Sequence, residues 1–514
     1  MNQHSRLPNR ASLTAALVAT LFAPTAWAAF DSGSTGADGV FNPTVNTEVE
    51  LPPSGILNYT TVNIPTGVTV KFKRNAANTP VYILASGDVT IAGTIDLRGD
   101  DAKDAGTYGD GAQGDDGIPG AGGAGGFEGG RGGRDDTQQR PAIIRGGAGL
   151  GPGGGAGGIE GADGCNATTG YYKHAGIGGA YGSRALKVYM YHCSMTTPAT
   201  DPYGSGLLQP LVGGSGGGGG RGGTNYPGSG GGGGGGAILI ASSGTLRVTG
   251  SIDASGGDGG GVAGTGAGGQ GAGGSGGGIR LVATTVTGTG TLNAPGGCVH
   301  YNNARRQRCG ATGRSDELGG SEGRIRIEAD AITYSGQSSP AYVRGGIAPV
   351  FLASVPSLRI SSVAGQTVPA VPTGTNDVTL PSSTTGPVVV TFETTNVPVG
   401  NTIQLRVIPA YGTASTAVSG ALAGSASAAT ASASVTLPQG PSALQATTTY
   451  TVTVASLRDE AMREKLSRLA QNEKVETIEV TVALQGGARA KLITGSGKSF
   501  EVPYAQLSAI GFKS

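Results

Sequence analysis

The side chains best suited to chemistry fall in two short loops. Cys165 and Cys193 bracket the first, and Cys298 and Cys309 bracket the second. His174, His192 and His300 lie within or beside these loops, and past residue 28 the chain has no other histidine. Thiols and imidazoles held this close either close disulfides or hold a metal such as zinc. The spacing follows no standard zinc pattern, and an even cysteine count in an exported chain points to disulfides. Cys165–Cys193 with Cys298–Cys309 is the simplest of the three connectivities, and a Cys/His metal site is the alternative. The same loops hold most of the recognition chemistry. Tyr171, Tyr172, Tyr181, Tyr189, Tyr191 and Tyr203 follow in close order, with Lys173, Arg184 and Lys187 among them, and Arg305, Arg306 and Arg308 crowd the second loop. Tyrosine offers large contact area at low entropic cost, and arginine recognises anionic groups bidentately. Tyr171, Tyr172, Tyr189, Tyr191, Arg305, Arg306 and Arg308 are therefore the candidate binding residues. The expected partner is an anionic glycan or another surface protein. The plainer alternative is that the tyrosines only cover a scaffold poor in side chains.

Other motifs lose force on inspection. GxGxxG matches recur, but glycine density alone generates them, and the strand-turn-helix context of a dinucleotide site is missing. Gly495-Ser496-Gly497-Lys498-Ser499 imitates a phosphate loop, yet Leu492 stands where its first glycine is required and Pro503 interrupts any following helix. A turn in a C-terminal hairpin is expected there. The acid pairs Asp100-Asp101, Asp115-Asp116 and Asp135-Asp136 could offer oxygen ligands to calcium but read as ordinary solvated loop acids. No Ser/His/Asp set is identifiable, no catalytic residue is assigned, and no cofactor or metal is expected. The competing function is a polysaccharide-active enzyme, whose carboxylates would have to come from Asp96 and Asp253. These occupy the same place in two related segments, which suits a turn-forming role.

These loops must be positioned by a chain of unusual composition. Arg6 and Arg10, the apolar run Leu13–Ala23 and the small-x-small site Ala26-Trp27-Ala28 form a signal peptide, residues 1–28, with Ala29 the expected mature start. The apolar run is too short to span a membrane, which takes about 20 residues. The chain is thus expected to be secreted or at the cell surface. A formal net charge of +1 gives no pull toward nucleic acid or membranes. Charged residues make up 13% of the chain, about half the usual share, and 99 residues are glycine.

Phe30–Pro53 reads as a polar, turn-rich lead-in. From Val62 onward, apolar and polar residues alternate in short strands. One unit recurs: ILASGDVTIAGTIDLRG (Ile83–Gly99), LIASSGTLRVTGSIDASG (Leu239–Gly256), IRLVATTVTGTGTLNAPG (Ile279–Gly296) and IRIEADAITYSG (Ile325–Gly336). Such self-similarity marks units that bury their apolar faces only by stacking. A β-helix-like solenoid is favoured over a sandwich built from the same hairpins. Between units, glycine falls on every third position, as at Gly111, Gly114, Gly117, Gly120, Gly123, Gly126, Gly129 and Gly132, and again at Gly268, Gly271, Gly274 and Gly277. Three residues per turn is the polyproline-II period, and an all-glycine face lets backbones approach closely. These inserts are either flexible linkers or polyglycine-II helices bonded to one another. The run from Gly213 to Gly236 is interrupted at Thr224–Pro227, which counts against order there.

GDVTIAGTIDLRG and GTLRVTGSIDASG resemble the rungs of haemagglutinin-type β-helices, and the inserts resemble the polyglycine-II bundles of phage tail adhesins. The resemblance spans about Val62–Gly346 and implies an adhesive, shell or scaffold role without carrying over a catalytic residue. The whole is read as mainly β. A glycine-rich β-solenoid with polyglycine-II inserts covers residues 29–349, an Ig-like β-sandwich 350–455, and a small α+β appendage 456–514. In the appendage, Leu457–Ala470 is expected to be an amphipathic helix. The functional expectation is a secreted or cell-surface structural or adhesive protein that is not an enzyme.

Overall fold

The computed structural model describes residues 30–76, 78–105, 117–134, 144–158, 175–185, 201–223, 226–261, 268–298, 300–301, 305–306, 319–351, 355–369, 372, 377–411, 413–457, 459–484 and 487–512. The expected signal peptide lies outside them. The glycine-rich half begins with β1 (Gly39–Phe41), β2 (Thr47–Glu50), β3 (Ile56–Ile64), β4 (Thr69–Lys73), β5 (Val81–Ala85), β6 (Val89–Ile91) and β7 (Thr94–Asp96). After a long insert come β8 (Ala237–Val248), β9 (Ser251–Asp253), β10 (Gly278–Thr287) and β11 (Thr291–Asn293). A hairpin of β12 (His300–Tyr301) and β13 (Arg305–Arg306) precedes β14 (Arg324–Ile332), β15 (Gln337–Ser339) and β16 (Val343–Gly345). The turn-rich lead-in thus also contributes β1 and β2.

Apart from the hairpin, these strands form two parallel sheets. One is ordered β1-β3-β5-β8-β10-β14-β16, with β6 beside β3 and β8; the other is β15-β11-β9-β7-β4-β2. The chain passes back and forth between them, so the related segments of the sequence lie side by side. Leu57, Ile83, Ile240, Leu281 and Ile327 are successive register partners across one sheet, and Val70, Ile95, Ile252 and Leu292 across the other. Both columns point into one shared apolar core. This is the burial the repeats require. β8 and β10 are buried on both faces over Ala237–Ser242 and Gly278–Ala283, as parallel strands covered on both sides should be, with Arg280 a buried charge on the outer face. Their outward residues Leu239 and Val282 meet a second apolar layer of Phe127, Tyr181, Tyr203, Leu208, Leu211 and Val212, all contributed by the inserts.

The inserts are hydrogen-bonded to one another on the three-residue period seen in the sequence. In the first glycine run, Gly214, Gly217 and Gly220 donate to the carbonyls of Gly235, Gly232 and Ser229 at 2.8, 3.0 and 2.8 Å. The phase Gly216, Gly219, Gly222 donates to Leu150, Gly147 and Ile144, and Gly218 donates to Ile177. Three successive residues thus serve three different neighbours. In the second run, Ser229, Gly232 and Gly235 donate to Gly269, Ala272 and Ser275, while Gly228, Gly231 and Gly234 donate to Gly133, Gly130 and Phe127. Gly233 and Gly236 reach Asp100 and Leu97. The interruption near Thr224 does not break this order. It falls where the chain reverses, closed by mutual Gly223 and Tyr226 backbone bonds, so that the two runs lie antiparallel. Glycine is required because the neighbours are so close: a Cβ at Gly217, Gly220 or Gly231 would overlap a backbone carbonyl of the adjacent run. The entropy lost in ordering glycine is offset by these bonds, nearly all buried.

The second half contains β17 (Ser357–Val363), β18 (Gln366–Thr367), β19 (Pro387–Thr395), β20 (Ile403–Pro409), β21 (Ser415–Val418), β22 (Ala423–Ser425), β23 (Ala428–Thr436) and β24 (Ser442–Thr453). Helix α1 (Glu460–Leu469), β25 (Val475–Ala483), β26 (Gly487–Thr494), β27 (Ser499–Pro503) and α2 (Tyr504–Ala509) complete it. Two antiparallel sheets result, β18-β17-β19-β23-β22 and β21-β20-β24-β25-β26-β27. The boundary expected at Ser456 falls inside the larger sheet, because β24 pairs with β25 from Thr447↔Ala483 to Thr453↔Thr477, and one apolar core runs from Leu358 to Phe512. Helix α1 starts later than expected, where the Asp459 carboxylate caps it by accepting the Met462 N–H at 3.2 Å. Met462 and Leu466 bury its apolar stripe. The phosphate-loop imitation is the turn between β26 and β27, as expected, with Gly497 at φ +81°. No helix among the described residues is long and apolar enough to cross a membrane.

Candidate functional site

Of the candidate binding residues, Tyr171, Tyr172, Tyr189, Tyr191 and Arg308 lie outside the described residues, as do Cys165, Cys193 and Cys309. Cys298 is described. It is buried and disulfide-bonded, and it is held in the glycine network: its N–H donates to Asp258 Oδ1 at 2.7 Å and its carbonyl accepts from Gly259 at 2.7 Å. The loop that starts from this anchor carries β12 and β13, paired His300↔Arg306 and Tyr301↔Arg305. Arg305 and Arg306 therefore sit on a short antiparallel hairpin close in sequence to a fixed point of the scaffold.

Two tyrosines of the aromatic run take the plainer role. Tyr181 and Tyr203 are 1% and 4% exposed, with ring centroids 4.8 Å apart. Tyr203 donates its hydroxyl to the Gly213 carbonyl at 2.5 Å and accepts from Ser215 Oγ at 3.0 Å. The Arg324 guanidinium stacks 5.6 Å from the Tyr181 ring and donates to the Tyr203 carbonyl. Burial raises both phenols far above the ordinary tyrosine range. These rings seal the outer face of the first sheet and present nothing to a partner.

The acids settle into structural roles. Asp96 and Asp253 are register partners on adjacent strands, and each carboxylate accepts the backbone N–H two residues on, from Arg98 at 3.2 Å and Ser255 at 2.9 Å. Asp96 is also paired with Arg98 at 3.0 Å and Lys71 at 3.3 Å. Asp101, expected as a solvated loop acid, accepts the N–H of Asp258 at 2.9 Å, and Asp104 likewise accepts that of Gly261 at 2.8 Å. Together with the Asp258 bond to Cys298, these carboxylates act as acceptors for amides at the margin of the bundle. Asp115-Asp116 and Asp135-Asp136 lie outside the described residues. Among the described residues no three of His, Cys, Asp and Glu gather as a metal centre would need.

Burial pushes the Asp96 carboxyl up, but the hydrogen bonds and charge of Arg98 and the charge of Lys71 outweigh it, and the group sits below the usual Asp range. A carboxyl lowered on folding contributes stability that is complete above the ordinary value of about 3.9 and is lost as pH falls through the folded value. Asp96→Asn should therefore flatten the acid limb of the stability profile while changing little near pH 7. Urea midpoints of both proteins across that range check it; parallel acid losses would count against the ion-pair assignment.

A cavity of about 830 Å³ lies where the two halves meet. Phe127, Leu150 and Tyr203 line it from the glycine-rich side, Leu380, Ile408 and Leu444 from the other, and Arg74, Glu128 and Arg489 add polar groups. Arg489 reaches across to the Pro202 carbonyl at 3.1 Å, and Gln445 donates to Gly151. Nothing local in the sequence signals this space, because its walls come from segments hundreds of residues apart.

Neither a protein-family model, nor a curated protein, nor a solved structure matches the chain.

Proposed function

We propose that this chain is an exported structural or adhesive protein of the cell surface or extracellular matrix. In this reading the two parallel sheets are a β-helix-like solenoid, the inserts are a polyglycine-II bundle that braces one side, and the second half is an Ig-like stalk. The Tyr/Arg loops, stapled by disulfides, bind an anionic glycan or another surface protein. The observation that carries the reading is the three-phase backbone network, in which inserts far apart in sequence are cross-bonded into one body. Such a body is stiff without a large side-chain core. It suits a part that holds shape under load and presents loops at its margin.

A polysaccharide-active enzyme is the competing function. It needs free carboxylates on the solenoid face, and Asp96 and Asp253 are instead engaged with backbone amides and, for Asp96, with cations. The test is surface labelling of the producing cells, together with binding of the full exported chain and its Arg305→Ala/Arg306→Ala/Arg308→Ala variant to an anionic glycan array. Surface exposure, with binding at least tenfold weaker in the variant, is expected. An intracellular chain, or equal binding by both proteins, would overturn the reading.

A further inference from the structure

From Val407 to Leu457 the chain contains no Asp, Glu, Lys, Arg or His. This stretch builds β21 and β22, the outermost strands of the two sheets in the second half. Only Ser419–Leu422 separates them in sequence, so both edges lie on the same flank. Gly420 N–H donates to Ser432 in one sheet, and Ser419 N–H donates to Ile403 in the other.

Sheet edges present a row of unpaired N–H and C=O groups, and proteins usually blunt them with charges or proline. The other described edges follow that rule, within the strand or within two residues of it. Asp38 precedes β1, β2 has Glu48 and Glu50, Pro340 follows β15, β16 has Arg344, Pro369 follows β18, and β27 has Glu501 and Pro503. Only the β21/β22 flank has neither. It also exposes apolar side chains: Val418 on β21 is 64% exposed, and Val399, next to the Gly400–Leu422 hydrogen bond, is 47% exposed. Arg406, the register partner of Thr416, sits one strand inboard on β20.

We propose that this flank is the interface with a second copy of the chain, the two copies joined edge to edge about a two-fold axis. In an isologous contact each residue meets the same patch of its partner, so any net charge on the patch faces its own copy, and like charges across strands destabilise pairing. A partner of different sequence would be selected by complementary charge, which this edge does not offer. An uncharged edge is compatible with itself. Because both edges lie on one flank, a single two-fold contact extends both sheets at once and closes, rather than propagating into a fibre. The proposal does not depend on what the Tyr/Arg loops bind.

Sedimentation of the full exported chain tests it. The native protein should be a dimer that dissociates on dilution. Val418→Lys combined with Ala423→Lys places a cation on each edge at exposed positions, and should shift the dissociation constant upward by a hundredfold or more while leaving the circular dichroism unchanged and the Tm equal to that of the native chain diluted to monomer. Val343→Lys, on an edge of the glycine-rich half, should leave the dimer intact. A native chain that is monomeric throughout the concentration range, or a dimer that survives the double substitution, would overturn the proposal.

Discussion

Gly217→Ala is expected to destabilise the glycine-rich half by about 3 kcal/mol or more, a large effect for the addition of one methyl group. Gly217 does not occupy the left-handed region, so its own backbone would tolerate alanine. Restricting the unfolded chain would by itself favour the alanine form by about 0.4–1 kcal/mol. The neighbours decide the sign. The new Cβ would overlap the Ala272 carbonyl, and that oxygen accepts the Gly232 N–H at 2.9 Å while the Ala272 N–H donates to Gly218 at 2.9 Å. Moving Ala272 away therefore opens bonds in two directions. Overpacking costs typically about 1–3 kcal/mol, and a buried donor left unpaired costs about 1–3 kcal/mol. Gly206 is the control: it is exposed, no atom lies within 4 Å of the place an alanine methyl would take, and Gly206→Ala should be neutral or slightly stabilising. Scanning calorimetry suits the comparison, since the chain's one tryptophan, Trp27, lies in the expected signal peptide. Equal melting of the two variants would mean that the glycines are not closely packed.

The second large effect is expected at Glu328, which is fully buried beside fully buried Arg280. The Arg280 guanidinium lies 2.8 Å from the Glu328 carboxylate, and Arg326 approaches the same carboxylate at 2.5 Å. Glu328 also accepts the Ala348 N–H at 3.1 Å, while Arg280 donates to the carbonyls of Pro349 and Val350 at 3.1 and 3.2 Å. The network thus fastens the segment leading from one half to the other. Glu328→Gln keeps the shape but leaves a buried cation without its counter-charge, a change that costs about 3–5 kcal/mol. Adding Arg280→Met should recover most of that loss, because it removes the fully buried cation that the first substitution leaves uncompensated. It should not restore the grip on Pro349 and Val350, so limited proteolysis near residues 347–351 should stay faster than in the native chain. A Glu328→Gln protein within about 0.5 kcal/mol of the native one, the range of ordinary surface substitutions, would contradict this role.

The strand units were legible because apolar alternation leaves a side-chain signature: Ile83, Ile240, Leu281 and Ile327 stand at matching places in their segments and become register partners. The glycine period was legible too, but the pairing was not. Glycines carry no side chain to distinguish one neighbour from another, so the sequence holds nothing that joins Gly217 to Gly232 or Gly216 to Leu150. The break at Thr224–Pro227 counted against order because a turn and a flexible gap have the same composition. The expected division at Ser456 failed for a related reason: helix α1 and its charges change the local composition, while the sheet continues from β24 to β25 underneath. Asp101 read as a solvated loop acid because a carboxylate accepting from a distant backbone amide leaves no local trace. Of the proposed binding residues, Arg305 and Arg306 follow the buried Cys298 on a short hairpin, and burial gives Tyr181 and Tyr203 a covering role that spacing alone did not reveal.

Amide hydrogen exchange across Gly213–Gly223 and Gly228–Gly236 tests the braced scaffold most directly. Slow exchange is expected at Gly214, Gly216–Gly220 and Gly222, and at Gly228, Ser229 and Gly231–Gly236, with protection comparable to that of β8 and β10. Exchange of these glycines at the rate of an unstructured chain, while β8 and β10 stay protected, would show them to be linkers and would remove the basis for a rigid glycine scaffold.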